Sequence, residues 1–111
     1  MLPGYGLMGV AKSALEASVR YLASDLGEIG VRVNVVSAGP VKTVSAGSIA
    51  GFRQILEWNR RHSLLRRTVE PAEIANAVAY LLSVLSSGTT GEIFHVDSGH
   101  HAQGMCNVPR G

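Results

Sequence analysis

The sequence predicts an α/β protein, in particular the C-terminal part of a doubly wound parallel sheet. Amphipathic helical patterns alternate with short β-branched segments within 111 residues, as in domains built with right-handed crossovers. Hydrophobic residues make up 46% of the chain and charged residues 16%, which excludes a disordered chain. Two strand patterns are found, and a sheet of two apolar strands has unpaired edges and bare apolar faces. We therefore expect a portion of a larger domain; the alternative is a small protein that oligomerises to cover its edges.

The first helix is predicted by apolar residues spaced three and four apart, which share one helical face. Gly27 and Gly30 follow this pattern and favour termination of the helix. No strand pattern precedes the helix, so the N-terminal β-α-β units of a doubly wound sheet are expected to be absent from this sequence. The predicted apolar face consists of Leu7, Ala11, Leu15, Val19, Leu22 and Leu26.

The remaining elements follow in α/β order. Residues 31–37 are rich in β-branched side chains and predict a strand of a buried parallel sheet. Residues 38–43 predict a loop, and residues 44–61 predict helical turns. Pro71 suits the first position of a second clear helix, and residues 92–96 predict a second strand after a turn-rich loop. The apolar face of the second clear helix consists of Ile74, Val78, Leu81, Leu82 and Leu85.

Composition excludes several kinds of site. Cys106 is the only cysteine, which excludes an internal disulfide and a multi-cysteine metal site and is consistent with a reducing cytoplasm. His100 and His101 are adjacent and project in different directions, so no metal site is predicted. No apolar run approaches the roughly 20 residues that span a bilayer, so no membrane segment is expected.

The basic residues do not indicate a nucleic-acid-binding protein. The net charge is only +2, and no long block of like charge is present. Four arginines form a basic cluster without an interleaved aromatic ladder, which favours a solvated helix end or an ion-pair network. The members of this cluster are Arg60, Arg61, Arg66 and Arg67.

Two patterns near the N-terminus could bind a ligand. Gly4 to Gly9 match G-x-G-x-x-G, but this motif binds a dinucleotide only between a strand and a helix, and too few residues precede it for a strand. Tyr5 and Lys12 are seven residues apart, so they project from one face of a helix. A tyrosine hydroxyl can donate to a substrate oxygen, and a nearby ammonium stabilises a developing oxyanion. Spacing alone still favours an ordinary amphipathic helix with a solvated lysine.

Residues 5–17 resemble the catalytic helix of the short-chain dehydrogenase/reductase superfamily. Most members carry Y-x-x-x-K, whereas the wider Y-x6-K spacing found here resembles the NADH-dependent enoyl-[acyl-carrier-protein] reductases, a divergent branch. Three further stretches resemble the same family in the same order. They are residues 30–43 with the SAGP sequence, residues 65–68, and residues 88–99. The resemblance covers residues 3–105, although Leu64 stands where a proline is usual.

The resemblance implies a fold and an activity. Residues 1–111 would be the C-terminal portion of a single NAD(P)-binding Rossmann domain. The parent enzyme would transfer hydride from NADH to the β-carbon of a trans-2-enoyl thioester on acyl carrier protein, in the fatty-acid elongation cycle. The choice between NADH and NADPH stays open, because the residues that contact the 2′ position of the cofactor lie outside this sequence. The family also implies a cytoplasmic homotetramer, with no nucleic-acid partner and no membrane.

The resemblance also assigns roles to individual residues. Tyr5 would donate to the enolate oxygen of the thioester, and Lys12 would bind the nicotinamide ribose hydroxyls. Val41 would lie beside the carboxamide, and Thr43 beside the cofactor phosphates. Residues 44–56 would cover the acyl chain.

The acyl pocket and the carrier surface would use further residues of the same segments. Val44 and Phe52 would line the pocket together with Met8 and Tyr5. Arg53 would face the acidic carrier protein.

Two other functions remain open at this point. One is a short-chain reductase that acts on a ketone, against which the Y-x6-K spacing and the Ala-Gly-Pro loop argue. The other is a catalytically inactive fragment that retains only oligomerisation. The glycine-rich pyrophosphate turn and the second active-site tyrosine of the family are not found in this sequence. We therefore expect the isolated 111-residue chain not to reduce enoyl thioesters.

Overall fold

A computed structural model describes residues 5–43 and 50–104 of the protein. In these residues helices and strands alternate, as the sequence predicts. The elements are α1 (Gly6–Gly27), β1 (Val35–Ala38), α2 (Phe52–His62), α3 (Pro71–Leu82), a 3₁₀ turn (Val84–Ser86), β2 (Ile93–Val96) and a second 3₁₀ turn (His100–Ala102). The α/β prediction is confirmed, and the second 3₁₀ turn lies in a segment for which the sequence shows no periodicity.

The two strands pair with each other in parallel. The amide of Val35 donates to the carbonyl of Glu92 at 3.0 Å, and the amide of Gly39 donates to the carbonyl of Val96 at 2.9 Å. Both partners advance by four residues in the same direction, which defines a parallel register. Such a two-stranded parallel sheet is consistent with part of a Rossmann-like domain.

The first strand is shorter than predicted. It covers Val35–Ala38, whereas the β-branched pattern predicts a strand over residues 31–37. The amide of Val33 donates to the side-chain hydroxyl of Thr90 at 3.1 Å rather than to a backbone carbonyl. A side chain therefore takes the place of a strand partner for the Val33 amide, while the Val33 carbonyl accepts from the amide of Gly91 at 2.7 Å.

The described chain divides into two compact units. The first unit contains residues 5–35 and 80–94, and the second contains residues 36–43, 50–79 and 95–104. In the first unit only Val19 and Ala23 of α1 are buried, and a Cβ at Gly91 would lie 3.6 Å from the Cβ of Ala23. The helix is confirmed, but most of its predicted apolar face is uncovered: Leu7 is 86% exposed and Leu22 is 46% exposed.

A guanidinium group organises the end of α3 in the first unit. Arg32 donates from Nη2 to the carbonyls of Leu81 and Ser83, at 3.0 and 3.1 Å. From Nη1 it donates to the hydroxyl of Ser86 at 2.9 Å and to the carbonyl of Thr89 at 3.2 Å. Carbonyls at a helix C-terminus have no partners within the helix, and Arg32 donates to two carbonyls at the end of α3 together with the Ser86 hydroxyl. The helix ends at Leu82, and the apolar pattern that continues to Leu85 runs on into the 3₁₀ turn.

In the second unit, α3 begins with one half of a capping box. Pro71 occupies its first position, and the carboxylate of Glu73 accepts from the amide of Glu70 at 2.8 Å. The same carboxylate accepts two hydrogen bonds from the guanidinium of Arg67, at 2.6 and 2.8 Å. The hydrogen bonds from Arg67 and from the Glu70 amide lower the pKa of Glu73 from 4.5 to about 2.

The basic cluster is an ion-pair network, one of the two arrangements that the sequence favours. Glu57 accepts from Arg60 at 2.8 and 3.0 Å and from Arg61 at 2.8 Å. The hydrogen bonds from Arg60 and then Arg61 lower the pKa of Glu57 from 4.5 to about 2. Arg66 donates to the carbonyl of Arg61 at 2.8 Å. Arg60, Arg61 and Arg66 therefore bind acceptors at or near the C-terminal end of α2.

Candidate active site

The first group of site residues lies at the N-cap and in the first two turns of α1, within the first unit. The carbonyl of Tyr5 accepts from the amide of Gly9 at 2.7 Å, so Tyr5 directly precedes the first turn. Its side chain is 36% exposed, and a Cβ at Gly9 would lie 3.9 Å from its Cδ1 atom. The glycine thus leaves room beside the tyrosine ring.

Lys12 lies two turns further along the same helix. Seven residues correspond to about 700° of rotation and about 10.5 Å of rise, so Tyr5 and Lys12 share a face. Met8 lies between them, one turn from Tyr5, and is 48% exposed. Within residues 5–43 and 50–104, neither the Tyr5 hydroxyl nor the Lys12 ammonium has a hydrogen-bond or ion-pair partner. The face therefore offers a proton donor, a cation and an apolar side chain to a ligand.

The second group lies in the second unit, just after β1. The strand ends at Ala38, and residues 39–43 form the loop that leaves its carboxyl end. A Cβ at Gly39 would lie 3.1 Å from the Cα of Asp97, so a glycine lets this loop pass close to the residue that follows β2. Ligands of open parallel sheets bind outside the carboxyl ends of the strands. Val41 is half-buried and Thr43 is exposed in that loop.

A groove connects this loop with the start of α2. Its volume is about 500 Å³, within the range of small-molecule sites. Thr43 and Phe52, for which the resemblance implies different roles, line the same groove. The described residues around it are Lys42, Thr43, Gly51, Phe52, Arg53, Gln54 and Leu56. Phe52 and Leu56 are half-buried, so the groove has an apolar side, whereas Lys42 and Arg53 are exposed cations.

The predicted site residues thus occur as two local sets. The set on α1 consists of Tyr5, Met8 and Lys12, and the set in the second unit consists of Val41, Thr43 and Phe52. Val44 lies outside the described residues. The sequence did not lead us to predict Lys42 as a lining residue of this groove. Its position between Val41 and Thr43, two predicted cofactor contacts, could have indicated it.

The turn after β2 holds a separate polar cluster in the second unit. The rings of His95 and His101 stack with centroids 3.8 Å apart. Asp97 accepts from the backbone and the ring of His101, at 2.9 and 3.0 Å. Burial raises the pKa of Asp97, but its hydrogen bonds outweigh burial and hold that pKa below its usual value. No group of three potential metal ligands occurs in the described part of the chain.

Comparison with known proteins identifies the family. A family model described as enoyl-(acyl carrier protein) reductase matches residues 1–101. The chain belongs to this family. It is 60% identical over 105 residues to enoyl-[acyl-carrier-protein] reductase [NADH] 1 of Rhizobium meliloti, covering 95% of this chain and 39% of the relative. It is 54% identical over 98 residues to the NADPH enzyme FabI of Staphylococcus aureus, covering 88% and 38%.

Solved structures of the enoyl reductase family share the same architecture. The reductase of Anaplasma phagocytophilum, solved in complex with NAD, superposes with a TM-score of 0.90 at 52% identity, covering 97% of this chain and 41% of that one. FabI of Candidatus Liberibacter asiaticus gives a TM-score of 0.91 at 47% identity, covering 96% and 42%. The chain therefore spans about two fifths of the length of the relatives it matches. None of the helices described is long and apolar enough to cross a membrane.

Proposed function

We propose that this chain forms part of an enzyme that reduces trans-2-enoyl-acyl-carrier-protein to saturated acyl-carrier-protein with NADH. The observation that carries the proposal is the Y-x6-K pair of Tyr5 and Lys12, exposed on one helix face, in a chain 60% identical to an enzyme of that name. The residue assignments belong to this proposal, and so does the assignment of residues 1–111 to the C-terminal portion of a single NAD(P)-binding Rossmann domain.

The described residues fit one end of a nicotinamide cofactor. Lys12 offers an ammonium without a partner in residues 5–43 and 50–104, and the loop with Val41 and Thr43 leaves the carboxyl end of a parallel strand. Lys12 would donate to ribose hydroxyls, Val41 would contact the carboxamide, and Thr43 would donate to phosphate oxygens. The bound cofactor supplies a hydride for the β-carbon of the enoyl thioester.

The chain's own contribution to the chemistry is electrostatic. Reduction at the β-carbon places negative charge on the thioester oxygen. The Tyr5 hydroxyl would donate a hydrogen bond to that oxygen, and the positive charge of Lys12 would stabilise it further. Met8, Phe52 and Val44 would surround the apolar acyl chain and exclude water from it. The Tyr5 hydroxyl and the Lys12 ammonium would act at the oxygen where negative charge develops. They would therefore lower the activation barrier rather than only tighten substrate binding.

The proposal extends to cofactor choice, partners and location. Relatives named for NADH and for NADPH both match this chain, so the rate of enoyl reduction should be measured with each of the two cofactors. The carrier-bound thioester is the proposed partner, and a homotetramer in the cytoplasm is the proposed working form.

The test is a chimera in which this chain replaces the 105 residues it matches in the Rhizobium meliloti enzyme. We expect it to oxidise NADH with a crotonyl thioester and not with a 3-oxo thioester. Tyr5→Phe should lower kcat by about a hundredfold or more, as loss of an oxyanion donor does. Tyr21→Phe is the matched control, because Tyr21 is an exposed tyrosine further along α1.

The opposite substrate preference in the chimera would identify a carbonyl reductase and refute the proposal. A folded chimera that reduces neither thioester would also refute it. The 111-residue chain by itself is expected to be inactive, so turnover by that chain would contradict the assignment of missing cofactor contacts to other segments.

Exposed apolar residues on α1 favour one other function, association without catalysis. Leu7 and Tyr21 are 86% and 75% exposed. Large exposed apolar side chains of this kind are typical of a surface that binds another protein. A chain of this kind could bind itself or a full-length subunit. Size-exclusion mass of the chain alone, and mixed with a full-length relative, tests this: a monomer in both samples contradicts it.

A further inference from the structure

The loop after β1, residues 39–43, starts directly against the residue that follows β2. The amide of Gly39 donates to the carbonyl of Val96 at 2.9 Å. A Cβ at Gly39 would lie 3.1 Å from the Cα and 3.3 Å from the Cβ of Asp97, and 3.6 Å from a methyl group of the buried Val69. Only a residue without a side chain fits there, so a shift of Asp97 would be transmitted to the loop backbone.

The carboxylate of Asp97 holds together the turn that this loop meets. It accepts from the amide of Gly99 at 3.0 Å, from the amide of His101 at 2.9 Å and from the Nδ1 atom of the His101 ring at 3.0 Å. The same ring stacks on that of His95 in β2, with centroids 3.8 Å apart. The side chain of Asp97 is only 12% exposed, so water competes weakly for these hydrogen bonds.

The turn needs such support because its backbone is strained. Ser98 has a φ of +58°, which is uncommon for a residue with a side chain, and Gly99 follows with a φ of +79°. The Ser98 hydroxyl is buried and has no hydrogen-bond partner in the described part of the chain, so it does not hold the turn. Strained residues of this kind persist only where their surroundings fix them, and they cluster at functional sites.

We propose that Asp97 is a positioning residue for the cofactor, because its contact with Gly39 fixes the loop that carries Val41 and Thr43. Resting on the proposed function, this role deepens it by naming a residue that acts on the cofactor through the loop. Without the charge of Asp97 the turn is released, and the loop is in its binding conformation for a smaller fraction of the time. Apparent affinity for the cofactor falls in proportion to that fraction.

The experiment introduces Asp97→Asn into the chimera defined above. Asparagine has the same shape and can still accept from Gly99, but its amide nitrogen cannot accept from the amide of His101. We expect the dissociation constant for NADH, measured by fluorescence, and the KM for NADH to rise about tenfold, as for one charge-assisted hydrogen bond. The KM for the crotonyl thioester should change by less than about twofold. Amide hydrogen exchange in residues 39–43 should accelerate.

Glu73→Gln is the matched control, because Glu73 is another carboxylate of the second unit that accepts from a backbone amide and a basic side chain. Both variants should unfold at lower urea concentrations, whereas only Asp97→Asn should weaken NADH binding. His101→Phe keeps a ring that can stack on His95 but cannot donate to Asp97. It should raise the dissociation constant for NADH about threefold, and it serves as the test if Asp97→Asn does not fold.

The outcomes separate this role from the proposed function. An unchanged dissociation constant in Asp97→Asn, or in His101→Phe where that variant is the test, overturns the positioning role and leaves the reductase assignment intact. An equal rise in Glu73→Gln also overturns it, because loss of stability alone would then explain the effect. A higher KM for the thioester with unchanged NADH binding assigns the turn to the substrate and overturns it as well. An unsubstituted chimera that folds but reduces no enoyl thioester refutes the proposed function itself.

Discussion

Arg32 should contribute more to stability than any other exposed or half-buried cation for which the described residues provide partners. Its guanidinium makes four hydrogen bonds, at 2.9 to 3.2 Å, and three of the acceptors are backbone carbonyls. Leu81 and Ser86, which supply two of the acceptors, are buried. In Arg32→Met each of those acceptors would lose its charged donor in a place that water reaches poorly, whereas the three carbonyls would keep a hydrogen bond from Ser86 or Asn34.

The magnitude follows from the number of bonds and their burial. A hydrogen bond within a protein contributes about 0.5–1.5 kcal/mol net, and more when one partner is charged. Arg32 is half-buried, so water replaces part of what is lost. We expect Arg32→Met to lower the free energy of unfolding by about 3 kcal/mol. Arg32→Lys keeps the positive charge but loses the forked guanidinium group. It should lower the free energy of unfolding by about half as much.

The assay is urea denaturation of the folded chimera, followed by amide hydrogen exchange. Arg20→Met is the control, since Arg20 is exposed on α1 and has no partner among the residues described. Exchange should accelerate most at residues 83–89, where the amides of Ser86 and Thr89 close the turn. An Arg32→Met stability within about 0.5 kcal/mol of the control, with unchanged exchange, would refute the reasoning.

Two further predictions concern the second unit. The pKa of Glu73 is lowered to about 2 beside Arg67, so its ion pair stabilises the fold above about pH 4.5 and is lost as the pH falls through about 2. Unfolding midpoints between pH 7 and pH 2 should therefore fall less steeply in Glu73→Gln, and parallel curves would contradict this. Gly99→Ala should destabilise by more than about 2 kcal/mol, because its φ is +79° and a Cβ would lie 2.9 Å from Leu64. Gly88→Ala, where a Cβ meets nothing within 4 Å, is the comparison in urea denaturation, and equal losses would be unexpected.

The helices were predictable because their signals are local. Spacing of three and four residues located α1, and Pro71 located the start of α3 at the residue where the structure has it. The same local logic overestimated one feature, because it extended the first strand back to Val31.

The candidate site was predictable to the extent that it lies on one element. Tyr5 and Lys12 share a face through helical geometry alone, and family resemblance supplied their proposed roles. The groove was not predictable in the same way. Lys42 and Arg53 are separated in sequence by residues that carry no periodic signal, so only the fold shows that they line one groove.

The sequence by itself determined the element types, their order and the family, because periodicity, turn residues and motif spacing are properties of short segments. The tertiary structure decided the strand register, the partners of Arg32 and the groove. Arg32 and Ser86 are 54 positions apart in the sequence, and the fold of the intervening chain brings them into contact. Contacts of that kind depend on how the whole chain packs, and no local pattern encodes them.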